Sequence, residues 1–307
     1  MDAAFVQDFL AATIRIAMPL LVAALGGILS ERAGTFAVGL EGQMLCGALA
    51  GVLGAHFAGS LGIGLAAAAA GGAAFGLVVA AATVRFDTEH MVTGIAANVL
   101  ALGLTSYLLR AAAGGGQAPV LRVAVLQPLA IPGLADLPFV GPLLFNQPPL
   151  TYVALVLLVG INVFLFRTRA GLTLRAVGEN PLAAYAAGAD PARVRMAAIV
   201  GGAALAGLAG AVLALQQVGT FTDGMTHGRG YLALAAIIVG RWMPLGTLAG
   251  CLLFGAAEAL QLRMQAFRMP VSSYVIQMAP YLLALAVLAT MGRSSRLPAA
   301  IGRPLRA

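Results

Sequence analysis

Long apolar stretches recur along this chain, at 10–29, 36–57, 61–84, 91–109, 148–166 and 196–216. Each has the ~17–25 residues with which a helix crosses ~30 Å of hydrocarbon. A backbone surrounded by lipid must satisfy its own hydrogen bonds, so such runs fold as helices packed into a bundle. With 61% hydrophobic and 9% charged residues and a mean hydropathy of +0.95, the chain has more apolar surface than a soluble core could hide. The expected fold is an all-α polytopic membrane protein. Three further runs complete the set: 230–245 and 246–262 are short and join through Arg241, Trp242 and Pro244, while 271–291 is a clear last span. That makes about nine crossings, in a single transmembrane domain over 1–307. The first run contains Arg15 and Pro19 and lacks a basic leader and a small-residue cleavage site, so it is expected to be a mature span.

The formal charge of +7 comes from arginine alone, since the chain has no lysine. Twelve arginines fall in the gaps 30–35, 85–90, 167–195 and 241–245 or after Met291, against five in the alternate gaps. The positive-inside rule then sets the N-terminus outside and Arg293, Arg296, Arg303 and Arg306 in the cytoplasm. A re-entrant 230–245 would move that tail outside. Short arginine clusters between apolar runs are orientation signals, and no nucleic-acid partner is implied. Cys46 and Cys251 lie inside apolar runs and read as packing residues.

Two segments outside the bilayer stand out. Residues 110–147 carry prolines at 119, 128, 132, 138 and 142 and no helical period, which predicts an ordered cap or a flap. On the opposite side, 167–195 includes RAVGENPLAAYAAGADPARVR at 175–195. Asn180 is an N-cap residue, Pro181 suits the first turn and Gly188 supplies a left-handed exit, predicting a short helix over 181–187. Asp190 and Pro191 repeat the start signal for the next span. The small face of Ala183, Ala184, Tyr185, Ala186 and Ala187 is expected to be exposed, either in a groove of another protein or lying on the bundle. Gly47/Gly51, Gly72/Gly76 and Gly246/Gly250 have the spacing of close helix contacts, expected within one subunit.

Catalytic signatures are missing. Without lysine there is no Walker A motif, and no H-E-x-x-H or G-x-S-x-G occurs; His56, His90 and His227 lie far apart. No metal, no cofactor and no enzyme site is expected in this chain. A secondary transporter would need an ion-coupling carboxylate at mid-span, whereas Glu41 and Glu258 are near span ends. Polar residues within or beside spans are the candidates for a translocation path: Glu41, Asn98, Glu258 and Gln261. Asn98 also reads as an interhelical hydrogen bond, Glu41 as a cytoplasmic-edge carboxylate paired with Arg32, and Glu258 as a snorkelling side chain. Asp223, His227 and Arg229, in the outer 217–229 loop, are candidates for an outer gate or docking rim.

The segment GGILSERAGTFAVGLEGQMLCGALAG at 26–51 resembles the S-E-R-x-G-x-x-N-x-G-x-E-G-x-M-x-x-G-A stretch of ATP-binding-cassette importer permeases of the nucleoside and simple-sugar branch. Blocks at 92–108 (VTGIAANVLALGLTSYL), 174–190 (LRAVGENPLAAYAAGAD) and 228–261 (GRGYLALAAIIVGRWMPLGTLAGCLLFGAAEALQ) are similar to that family's other segments, in the same order. Ala37 stands where many relatives place asparagine. The resemblance implies a multi-pass protein of the bacterial cytoplasmic (inner) membrane with a second permease subunit and an extracytoplasmic substrate-binding lipoprotein. It also implies a cytoplasmic ATPase with duplicated nucleotide-binding domains, which uses the ATP. The short helix would be the coupling helix seated in that ATPase, with Glu179, Asn180, Pro181, Ala184, Tyr185 and Gly188 as its residues. Nucleosides are the expected solute, with simple sugars as the alternative.

Overall fold

A computed structural model describes residues 3–112, 121–130, 132–133, 141–266, 273–291 and 297–303. Helix α1 spans Ala3–Arg32, α2 Leu40–Ala58, α3 Leu61–Ala80, α4 His90–Ala112, α5 Pro149–Arg167 and α6 Arg169–Glu179. Then come α7 (Pro181–Ala186), α8 (Pro191–Ala211), α9 (Arg229–Val239), α10 (Pro244–Ala266) and α11 (Ser273–Met291). Wider π turns extend α3 through Arg85 and α8 through Val218. Among the described residues six helices are long and apolar enough to cross a membrane, and two apolar helices are shorter. The chain is an all-α, multi-pass membrane protein.

α1 is the central post. Leu20, Leu21, Ala23, Ala24, Leu25 and Ile28 are all buried, covering every side of the helix, and α5, α8, α9 and α10 pack around it. A helix apolar all round belongs in the middle of a bundle. α2, α3 and α8 form a second, tighter group. A Cβ on Gly207 of α8 would lie 2.9 Å from the Cα of Gly72 in α3, so only glycine permits this approach. Gly47 and Gly76 also face α8, so small-residue spacing here serves packing inside one subunit. The outward faces of α4, α5 and α11 carry exposed Val99, Leu102, Val156, Val159, Met278 and Leu285.

Four expectations are corrected. The second run does not form a helix from 36, because residues 33–39 are irregular. Gly34 turns the chain at φ +90°, and side chains then capture the freed N–H groups. His90 Nδ1 accepts from Phe36 N at 3.2 Å and Glu31 Oε1 from Ala37 N at 3.3 Å. Buried irregular backbone is tolerated at membrane depth when its polar groups are met by protein in this way. The run expected at 230–245 is only the 11-residue α9, about 16 Å long and half a bilayer. It ends at Arg241 and Trp242, both in the left-handed region at φ 54° and 56°. An additional helix, α6, fills the stretch before α7. Thr168 caps it by accepting from Gly171 N, and Gly171, Leu174, Val177 and Gly178 are buried on one face.

The fourth correction concerns α7. Its caps are those the residues predict: Asn180 Oδ1 accepts from Ala183 N at 3.0 Å, and Asp190 Oδ1 from Ala192 N and Arg193 N. Gly188 exits at φ +89°. Ala184, however, is 5% exposed and turned into the bundle; Leu182 at 72% and Tyr185 at 69% are presented instead. With two turns packed between α6 and α8, the residue one turn after the cap faces inward.

Of the 110–147 segment, residues 123–126 are tied to the end of α8 through Val123 N to Gly219 O and Leu126 N to Leu215 O. Two short antiparallel strands, β1 (Leu129–Ala130) and β2 (Asn146–Gln147), pair beside it. Pro119 and Pro138 lie outside the described residues. So do Arg293, Arg296 and Arg306. Residues 297–303, with Arg303, rest against Gly34 and Gly178, on the face that carries α6 and α7.

Candidate functional site

The turn that starts α9 is where polar groups from four helices converge. Gly224, His227 and Gly228 all have positive φ, so the chain coils tightly and leaves the first N–H groups of α9 without intrahelical acceptors. Glu41, in the first turn of α2, supplies them. Its Oε1 accepts from Thr226 Oγ1 at 2.6 Å and Gly228 N at 2.7 Å, and its Oε2 from Gly230 N at 2.7 Å. A carboxylate against the positive end of a helix is favourable electrostatically as well. Gly230 has no room for a side chain, since a Cβ would stand 2.6 Å from the Cα of Glu41.

Asn98 of α4 braces the same turn. It accepts from Gly42 N and donates to Val38 O and to the Tyr231 hydroxyl, each at 2.9 Å. Both amide N–H groups and the amide oxygen of Asn98 are thus engaged by other elements, in the manner of an interhelical hydrogen-bonding residue. On the other side Arg229 forms an ion pair with Glu258 of α10. Both side chains are mostly buried, and Arg229 Nε and Glu258 Oε2 find no hydrogen-bond partner. Glu258 is therefore paired across the bundle and does not snorkel. Tyr281 of α11 donates to His227 O at 2.6 Å.

Beside this pair opens a cleft of about 560 Å³, lined by His227, Arg229, Leu232, Glu258, Gln261, Gln277 and Tyr281 among others. Its size suits a small-molecule ligand. It joins two residues expected in a gate, His227 and Arg229, with two expected on a path, Glu258 and Gln261. Asp223 stands apart, accepting from Ser106 Oγ at 2.8 Å and lying 3.9 Å from Arg110. Glu41 is not paired with Arg32. Arg32 Nε donates instead to Trp242 O at 3.0 Å, and Trp242 Nε1 donates to buried Glu31.

α9 is consequently gripped at both ends by residues flanking the α1–α2 turn: Glu41, at the start of α2, holds its start, and Glu31 with Arg32, at the end of α1, holds the turn at its finish. Sequence reasoning missed Glu31, Arg32 and Trp242 as a unit, along with Tyr231, Gln277 and Tyr281. The available signal was the S-E-R block and the single tryptophan, a charged pair and a bulky donor with no reason to lie in lipid.

Comparisons with known proteins find transporter permeases. A guanosine ABC transporter permease protein of Bacillus subtilis is 37% identical over 304 residues, 95% of this chain and 94% of that protein. A nucleoside ABC transporter permease protein of Lactococcus lactis is 33% identical, with 88% of each chain covered. A glucose ABC transporter permease protein of Haloferax volcanii is 30% identical over 73% of this chain and 62% of its own. No solved structure matches the chain significantly. Residues 9–288 match the family described as branched-chain amino acid transport system / permease component, and the chain belongs to that family of transporter permeases.

Proposed function

We propose that this chain is a permease subunit of an ATP-binding-cassette importer that carries nucleosides across a bacterial cytoplasmic membrane. The observation that carries the reading is similarity along almost the whole chain to permeases named for guanosine and for nucleosides. The cleft is compatible in chemistry: an uncharged solute with several donors and acceptors suits walls that offer Gln261, Gln277, Tyr281 and an internally neutralised Arg229–Glu258 pair. A phosphorylated or carboxylate solute would call for an unpaired buried cation.

In this reading the chain crosses the bilayer nine times. Six long helices and α11 cross outright, α2 crosses together with the irregular 33–39 stretch, and α9 crosses together with residues 219–228. Contact of 123 with 219 at one face, and of 242 with 32 at the other, supports the last of these. The chain itself binds no ATP or other cofactor. A separate ATPase with duplicated nucleotide-binding domains receives α7, a second permease subunit completes the pore, and an external binding lipoprotein docks on the 110–147 cap and around Asp223. Closure of the ATPase pushes α7, the bundle rocks, and access alternates. The α9 turn, with its ion pair, is the element that opens or closes the path.

Radiolabelled uptake in cells carrying the complete operon, competed with unlabelled nucleosides, free bases, pentoses and glucose, tests this. Competition by nucleosides is expected. Competition by pentoses or glucose alone would move the assignment to the simple-sugar branch, to which the Haloferax relative points.

A further inference from the structure

Arg195, one turn into α8, is 1% exposed and directs its guanidinium at backbone carbonyls of two remote segments. Nε donates to Ala33 O at 3.2 Å, Nη1 to Arg303 O at 2.7 Å and Nη2 to Ala300 O at 3.2 Å. The segment that follows α11 is bound in return by its own amides: Ala300 N donates to Gly178 O at 2.9 Å, Gly302 N to Gly34 O at 3.1 Å and Ala299 N to Glu179 Oε2 at 3.3 Å. Gly34 must be glycine here, because a Cβ would lie 2.8 Å from Arg195 Nη2 and 3.3 Å from Ala300 O. A fork of fixed planar donors is the group suited to holding several carbonyls at once.

These partners are not scattered. Gly178 and Glu179 end α6 immediately before the cap of α7, and Ala33 and Gly34 follow Arg32, whose side chain holds the end of α9. We propose that residues 297–303, with Arg195 as a positioning residue, form a strap that makes α6 and α7 move as one body with the α1–α2 turn, so that a push on α7 is delivered to α9. This rests on the importer reading above. Gly178 packs directly on the Arg32 backbone, and five hydrogen bonds to one strap add a directional lock to that packing.

The test uses the complete transporter in proteoliposomes, with the solute moved per ATP hydrolysed as the readout. Arg195→Gln, and separately a chain ended after Met291, are expected to assemble with the ATPase and hydrolyse ATP while solute moved per ATP falls tenfold or more. A disulfide between Glu179→Cys and Ala299→Cys is expected to preserve the wild-type ratio, since the strap stays closed through the cycle. Unchanged ratios in both disrupting variants, or a transport block by the disulfide, would overturn the strap. So would failure of both disrupted chains to accumulate, which would make the segment a folding element only. If the wild-type complex moves no nucleoside, the substrate reading fails by itself. The strap is then read from ATP-dependent labelling of Gln261→Cys, expected in the parent chain and lost with Arg195→Gln.

Discussion

The carboxylate of Glu41 caps a helix other than its own: it takes the N–H of Gly230, in the first turn of α9, at 2.7 Å. One side chain thereby sets the height of a half-length helix in the bundle. Glu41→Gln keeps one acceptor oxygen but turns an NH₂ toward the remaining donors. Charge-assisted hydrogen bonds of this kind contribute about 1.5–3 kcal/mol each, so a drop in stability of at least about 2 kcal/mol is expected. Thermal unfolding of purified protein in detergent measures it, and uptake should fall in parallel. An unchanged melting curve would show that the turn is held by other contacts.

Arg229 and Glu258 form a pair in which each is the other's charge partner. Removing one leaves a buried charge, at a cost of about 3–5 kcal/mol, whereas Arg229→Leu with Glu258→Leu removes both and should recover much of that loss. A double-mutant cycle on detergent stability reads the coupling. Transport should stay low in the double variant even where stability returns, because the cleft loses the charged part of its polar wall. Additive single effects would argue against the pair.

The inward turn of Ala184 separates folding from docking at α7. Ala184→Asp places a charge inside the bundle and is expected to lower the amount of folded permease. Leu182→Asp and Tyr185→Asp, on the exposed face, should leave the permease intact and abolish co-purification with its ATPase. Retention of the ATPase by both exposed-face variants would place its docking surface elsewhere.

Topology is checked by labelling single cysteines in a background without Cys46 and Cys251. Leu182→Cys and Leu297→Cys should react with an impermeant reagent only from the cytoplasmic side, and Pro132→Cys only from the opposite side. Reaction of the residue-297 cysteine from outside would break the nine-crossing reading.

The apolar runs dictated that this chain enters a bilayer as helices, because a barrel strand would alternate apolar and polar residues, whereas continuous apolar runs of this length satisfy their backbone in lipid as helices. Local chemistry was equally legible at α7: Asn180, Pro181, Gly188 and Asp190 act through neighbours two to four residues away, and the structure has the caps they predict. Glycine spacing announced close helix approach. Where α2 begins and why α9 is short were not legible, since both depend on partners far along the chain. Residues 33–39 leave the helix because Gly34 turns them and His90 and Glu31 take their amides, and α9 can start at residue 229 because Glu41 satisfies its free N–H groups. The same holds for the polar residues. Their sequence positions marked Glu41 and Glu258 as unusual, but a carboxylate's role is set by which donors surround it. Only the tertiary structure brought Gly228, Gly230 and Thr226 to one, Arg229 to the other, and three distant carbonyls to Arg195.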